Sequence, residues 1–242
     1  VWSLATGVSG AAPAAYAATE QVSLNLANTG LAVGDIDAGG AGVTVTVSVL
    51  SGQINAGAGA TGAIVAGSTT ATVTITGTLA QVANVLAGTA GATIAYFNGS
   101  DTPPAADTLT LSIDDGGNTG AGGALNASAN STINITALND APVNTVPASI
   151  TVTEDVASAL TGISIADVDA GAGAVLVTFS VPSGTLAALS GGGVVVGGSG
   201  SGTLTMTGTV ANINAFIAAS SVSFTTALNQ TAAVTLTVTT DD

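Results

Sequence analysis

Asp35-Ile36-Asp37 and Asp167-Val168-Asp169 each set two carboxylates two residues apart, while Asp114-Asp115 and Asp241-Asp242 set two side by side. Like charges this close are costly unless a cation sits among them. Calcium suits such a set, because it takes about six to eight oxygen ligands in irregular geometry. Asp also begins turns and caps loops with no metal present, so the wider composition has to decide. The 242 residues hold 14 Asp and Glu and no Lys, Arg, His or Cys, a net charge of −14. No side chain of the protein can therefore neutralise a carboxylate. The acids are also placed rather than scattered. Glu20, Asp35, Asp37, Asp114, Asp115, Asp140, Glu154, Asp155, Asp167, Asp169, Asp241 and Asp242 fall at recurring landmarks or between two copies of a repeat; only Asp101 and Asp107 do not.

The missing residue types exclude many functions. With no basic side chain, nothing neutralises phosphates, so nucleic acid is not an expected partner, and a basic lipid-binding patch is ruled out. Ser–His–Asp and Cys–His catalysis, a Schiff-base lysine and the preferred zinc ligands are all absent. An Asp–Glu glycosidase pair is disfavoured because the acids recur once per repeat and only four Phe, two Tyr and one Trp are available as a sugar platform. The expectation is a non-enzyme. The most apolar window, Leu79 to Phe97, is interrupted by Gln81, Asn84, Thr89 and Thr93 and has no basic flank, so no membrane span is expected.

What must position the acids is a set of strands. Val43, Val45, Val47 and Val49 alternate with Thr44, Thr46 and Ser48, and the same period of two recurs at Val73 and Ile75, Leu109 to Ile113, Ile133 to Ile135 and Val234 to Val238. This pattern predicts half-buried antiparallel strands. Gly-rich turns separate them, and two short helical pieces are expected after Gly77-Thr78 and Gly208-Thr209. The chain also repeats. Glu20 matches Glu154, Asp35 to Gly39 matches Asp167 to Gly171, Gly77-Thr78 matches Gly208-Thr209, and Leu109 to Asp115 matches Leu236 to Asp242, each about 130 residues apart. Two tandem β-sandwich modules follow: an N-terminal extension over 1–18, module 1 over 19–138, a Pro-containing linker over 139–147 and module 2 over 148–242.

Asn139-Asp140-Ala141-Pro142-Val143-Asn144, then Thr153-Glu154-Asp155, then Asp167-Val168-Asp169-Ala170-Gly171 resembles the cadherin-like tandem repeats of giant bacterial calcium-binding surface adhesins of the repeats-in-toxin type. Asp114-Asp115-Gly116-Gly117-Asn118-Thr119-Gly120 fits as well, and the resemblance covers roughly residues 19 to 242. It implies all-β, Greek-key sandwiches of seven strands, with Ca2+ between successive modules. By that resemblance the inter-module ligands are Glu20, with help from Asp107, then Asn139, Asp140, Asp167, Asp169 and Asp241 or Asp242. Asp35, Asp37, Asp114 and Asp115 would form a half-site at one end, with Glu154 at the other. Two departures stand out. Module 1 lacks the Asn-Asp-Ala-Pro start, and module 2 has no counterpart of the strand at Ser131 to Ala137. A missing strand leaves an open sandwich edge, which a truncated chain would explain, or donation of Val1 to Val8 (or a later N-terminal segment) into the next subunit.

The functional expectation is a calcium-stiffened structural or adhesive protein, extracellular at the cell surface and self-associating into a fibre or filament. A sugar- or host-protein-binding module of a large adhesin is the alternative.

Overall fold

A computed structural model describes residues 7–36, 38–117 and 123–242. The chain divides into two compact units, Val1–Leu138 and Asn139–Asp242.

Unit 1 contains β1 (Val8–Ala11), β2 (Ala15–Thr19), β3 (Leu24–Asn25), β4 (Ala32–Asp35), β5 (Gly42–Val49), β6 (Gln53–Gly57), β7 (Ile64–Ala66), β8 (Thr72–Thr78), β9 (Thr93–Phe97), β10 (Ala106–Asp114) and β11 (Asn126–Thr136), with α1 (Leu79–Leu86) between β8 and β9. The large sheet runs β2-β11-β10-β5-β8-β7 and the small one β3-β9-β6, with β1 paired to β4. The expected alternation is what builds the core. Val43, Val45 and Val47 of β5, Val73 and Ile75 of β8, Leu109, Leu111 and Ile113 of β10, and Ile133 of β11 are buried together with Ile54, Ile94 and Tyr96 of the small sheet. Their polar neighbours Thr, Ser and Asn take the outer face, as the period of two requires. Helix α1 starts at a capping box: the Gln81 N–H donates to Thr78 Oγ1 at 3.3 Å, and the Thr78 N–H donates to Gln81 Oε1 at 2.9 Å.

Unit 2 contains β12 (Val143–Thr145), β13 (Ser158–Ala159), β14 (Ser164–Ala166), β15 (Val175–Ser180), β16 (Thr185–Ala187), β17 (Val195–Gly197), β18 (Thr203–Gly208), β19 (Ser223–Thr225) and β20 (Thr237–Asp241), with α2 (Val210–Ala218) between β18 and β19. Its sheets are β17-β18-β15-β20, β13-β19-β16 and β12-β14. Val175, Val177, Phe179, Leu186, Leu204, Met206, Ile213 and Ile217 form a separate buried core. The second helix repeats the first's start, Thr209 Oγ1 accepting from the Asn212 N–H at 3.2 Å.

The fold is all-β in two sandwich units, as expected, but its boundaries differ. Residues 8–18 are not an extension: β1 pairs with β4, and β2 pairs in parallel with β11, placing Tyr16 and Ala18 in the core. The stretch 139–147 is not a separate linker either, since β12 pairs with β14 inside unit 2. Both segments carry main-chain donors and acceptors that a sheet edge can satisfy, and that outweighs their Ala and Pro content. The expected strand at Val234 to Val238 begins only at Thr237, because no strand flanks the earlier residues. Each unit also has more strands than seven, several of them pieces of two to four residues.

Ile133 is fully buried between β10 and β2. Ile133→Ala is expected to destabilise unit 1 by about 2–5 kcal/mol, read as a lower urea midpoint with the transition of unit 2 unchanged.

Candidate metal centre

In unit 2 the loop after β14 folds around Asp167. Its Oδ1 accepts from the Asp169 N–H at 3.3 Å and the Ala170 N–H at 2.9 Å, an Asx turn. Gly171 then takes φ +51°, the left-handed conformation that lets the chain reverse, and Gly39 takes φ +55° at the matching place in unit 1. The turn brings Asp169 under the start of the unit: its Oδ2 accepts from the Asp140 N–H at 3.0 Å. The end of β20 arrives at the same place, where the Asn139 side-chain amide donates to Asp242 Oδ2.

One carboxylate oxygen from each of Asp167, Asp169 and Asp242 lies within 4.8 Å of the others. Asp167 Oδ2, Asp169 Oδ1 and Asp140 Oδ2 are buried and have no hydrogen-bond partner. Leaving a buried oxygen unpaired is expensive, and more so when it is charged. The residues fit a hard cation: all donors are oxygens, several are ionised, and their unmet valence points into one loop cluster. Of the adjacent pair, Asp242 joins the cluster and Asp241 does not. Asp241 closes β20, in register with Leu176 of β15; both residues are exposed, but successive side chains of a strand leave on opposite faces.

Unit 1 has a buried acid of its own. Glu20 follows β2, where its N–H donates to Thr136 O at 3.0 Å, at the end of β11. The residue is 0% exposed, and neither carboxylate oxygen has a hydrogen-bond partner. A fully buried carboxylate in a chain without one basic side chain is neutralised either by a proton or by an external cation.

Asp107 is placed otherwise. Oδ1 accepts from the Leu50 N–H at 3.0 Å and from its neighbour Thr108 at 2.6 Å; Oδ2 accepts from the Ser51 N–H at 3.0 Å and the Tyr96 hydroxyl at 3.1 Å. Four donors occupy it as a structural anchor for the β5–β6 turn. Asn98 extends this network, its amide donating to Ser51 Oγ and Tyr96 Oη. The composition could not reveal that network; the only signal was an acid outside the repeat landmarks.

At the other end of unit 1, Asp115 Oδ1 accepts from the N–H groups of Gly117 and Leu125, each at 2.8 Å. These bonds, Leu125's first, hold its carboxyl below the usual range. Asp114 is exposed, and its Oδ1 accepts from the Gly116 N–H. Asp35 ends β4, in register with Val8, while Asp37 lies outside the described residues. In unit 2 Glu154 is exposed, in contrast to its counterpart Glu20.

No family model matches the chain, and no curated protein does. Among solved structures it is similar to mouse cadherin-23 repeats EC22-24, at 15% identity and TM-score 0.33 over 85% of this chain and 55% of that one. It is also similar to a protocadherin gammaB7 EC3-6 cis-dimer structure, at 15% and 0.32 over 96% and 47%, and to a structure titled BspA_C_WT, at 9% and 0.26 over 87% and 83%. The chain spans about half the length, or less, of the cadherin chains it matches.

Burial pushes the Tyr96 hydroxyl up to about 12, and the neighbouring Asp107 charge adds to the effect. Because its folded value lies above the free one of about 10, the stability it contributes is intact below pH 10 and is lost as pH rises toward 12. In a Tyr16→Phe variant, which leaves Tyr96 as the only tyrosine, tyrosinate absorbance should appear with a midpoint near 12. A midpoint near 10 in the folded protein would show that the hydroxyl is neither buried nor held by Asp107.

Proposed function

We propose that the protein is a calcium-stiffened structural or adhesive component of an extracellular surface fibre, acting mechanically rather than catalytically, and that its copies join end to end. The observation that carries this reading is the set of buried carboxylate oxygens without partners: Asp140, Asp167 and Asp169 in unit 2 and Glu20 in unit 1, in a chain with no basic side chain. Asp167, Asp169 and Asp242, with Asp140 and Asn139 beside them, would hold one calcium in unit 2, and the buried Glu20 would be a ligand of a separate ion in unit 1. Bound there, the ion supplies charge neutralisation and ligand cross-linking.

The chain's own residues do the rest. The Asx turn at Asp167 and the Asp140–Asp169 hydrogen bond fix the loop before any ion arrives. The side chains thus need little reordering, which favours tight binding. With their charges neutralised, loops that otherwise repel can stay packed, so tension along the chain meets a stiff element rather than a hinge. A chain without Lys or Arg also offers no site to trypsin-like proteases, which suits a long-lived surface fibre.

Melting in millimolar calcium and in excess chelator tests the reading. Ligand at 100-fold over Kd stabilises by about 2.7 kcal/mol, so the calcium form should melt roughly 10 °C or more higher. Asp167→Asn with Asp169→Asn should remove most of that difference while leaving the chelator-form melt unchanged or higher. Coincident melts of the unsubstituted protein with and without calcium would sink the proposal.

A further inference from the structure

Behind the acidic cluster of unit 2 runs a transverse row of side-chain hydrogen bonds. Ile165, the middle residue of β14, is buried, and one side chain of α2 grips both polar atoms of its main chain. The Ile165 N–H donates to Asn214 Oδ1 at 2.9 Å, and Asn214 Nδ2 donates to Ile165 O at 2.7 Å. In an antiparallel pair the main-chain groups of successive residues turn alternately toward the partner strand and away from it. Those of Ile165 turn away from β12, on an edge where β14 has no second strand, and the Asn214 amide takes the place of one. On the other side Ile165 lies in register with Asn144 of β12. Asn144 Oδ1 in turn accepts from the Thr240 hydroxyl of β20 at 2.6 Å. The row Asn214–Ile165–Asn144–Thr240 thus ties α2, β14, β12 and β20 together.

Each strand in that row delivers part of the cluster. Asp167 follows Ile165 by two residues, Asp242 follows Thr240 by two, and Asn139 and Asp140 precede Asn144. At a strand rise of about 3.3 Å per residue, the row lies about 7 Å behind Asp167 and Asp242. We infer that Asn214, Asn144 and Thr240 are positioning residues of the cation site, holding the three strands in register so that the acids are assembled before an ion arrives. The inference rests on the calcium reading of Asp167, Asp169 and Asp242 and names the residues behind them that set the affinity.

The repeat separates this role from a general need of the fold. Asn214 is the fifth residue of α2, and the fifth residue of α1 is Ala83. Val33 precedes Asp35 by two residues, as Ile165 precedes Asp167, but it faces Gly10 rather than an asparagine. Ile113 of β10 stands where β20 has Thr240, and it is buried in the core. Unit 1 therefore reaches the same kind of sandwich with none of the three hydrogen-bonding side chains. The row is an addition to unit 2, placed directly behind that unit's acids. Its physical use follows from their charge. Carboxylate oxygens within 4.8 Å of one another repel, and no basic side chain opposes their separation. A two-bond amide grip on β14 and a hydroxyl bond between β12 and β20 resist that separation, so less ordering is left for the ion to impose.

The test uses the 242-residue protein, first in chelator. The Asp140 and Ala170 N–H groups donate to Asp169 Oδ2 and Asp167 Oδ1, so their exchange with deuterium reports how firmly the loop is preset. Asn214→Ala should speed both by roughly tenfold or more, whereas a merely local role would open the Ile165 amide alone. In a calcium titration followed at the same two amides, half-saturation should move to roughly tenfold higher calcium or beyond, while amides beside Glu20 in unit 1 respond as in the unsubstituted protein. Thr240→Val removes the hydroxyl donor at nearly the same shape and should act in the same direction; it decides the matter if Asn214→Ala costs unit 2 its dispersed spectrum. Asn212→Ala, on the same helix, keeps its main-chain bond to Thr209 and should change neither readout. Exchange and half-saturation that stay unchanged in Asn214→Ala and Thr240→Val, or that move equally in Asn212→Ala, would overturn the inference while leaving the calcium reading intact. Absence of any calcium-dependent shift at Asp140 and Ala170 in the unsubstituted protein would instead remove the calcium reading, and the inference with it.

Discussion

In most proteins a carboxylate drawn into the interior finds an arginine, a lysine or a histidine. Here it cannot, because the chain has none. Every acidic group that stays ionised must be solvated, tied to N–H or O–H donors, or neutralised by an ion from outside. The structure shows the first two, beside a group of acids that has neither. Asp241 and Glu154 are exposed, Asp107 and Asp115 are held by N–H and hydroxyl donors, and Glu20, Asp140, Asp167 and Asp169 keep buried oxygens without partners. The last group is the one on which the calcium proposal rests. Sorting the acids this way separates candidate ligands from structural anchors more sharply than spacing alone.

The two units act as each other's control. They share the acidic landmarks, the capped helix after a Gly-Thr pair, and the alternating core strands, yet they differ in one element. Where β11 is present, β10 is long, its leucines are sealed and Glu20 is buried. Where nothing occupies that position among the described residues, the equivalent leucine is half-exposed, the first edge is not a strand, and Glu154 faces water. Backbone pairing, core closure and the placement of one acid thus stand or fall together. The coupling is physical, since main-chain groups of an open edge need partners before the apolar residues beside them can be covered.

Much of this was legible in the residues. Alternation at Val43 to Val49 and Leu109 to Ile113 located the central strands, and Gly77-Thr78 and Gly208-Thr209 located both helices. Asp167 and Asp169 stood out by their spacing, and the structure sets them beside Asp242. Three things were hidden. The Ala-rich residues 8–18 looked like an extension because their partners, β4 and β11, lie far along the chain. Asp107 looked like a ligand because spacing does not reveal that Leu50, Ser51 and Tyr96 converge on it. Asp241 and Asp242 were equivalent in sequence, and only the end of β20 shows which one turns toward Asp167.

The most direct measurement of the central claim is a crystal structure grown in calcium, with the ion located by anomalous scattering. A peak is predicted within about 2.3–2.6 Å of carboxylate oxygens of Asp167, Asp169 and Asp242, with Asp140 Oδ2 turned toward it. No peak at that place, with the three side chains directed apart into solvent, would contradict the account.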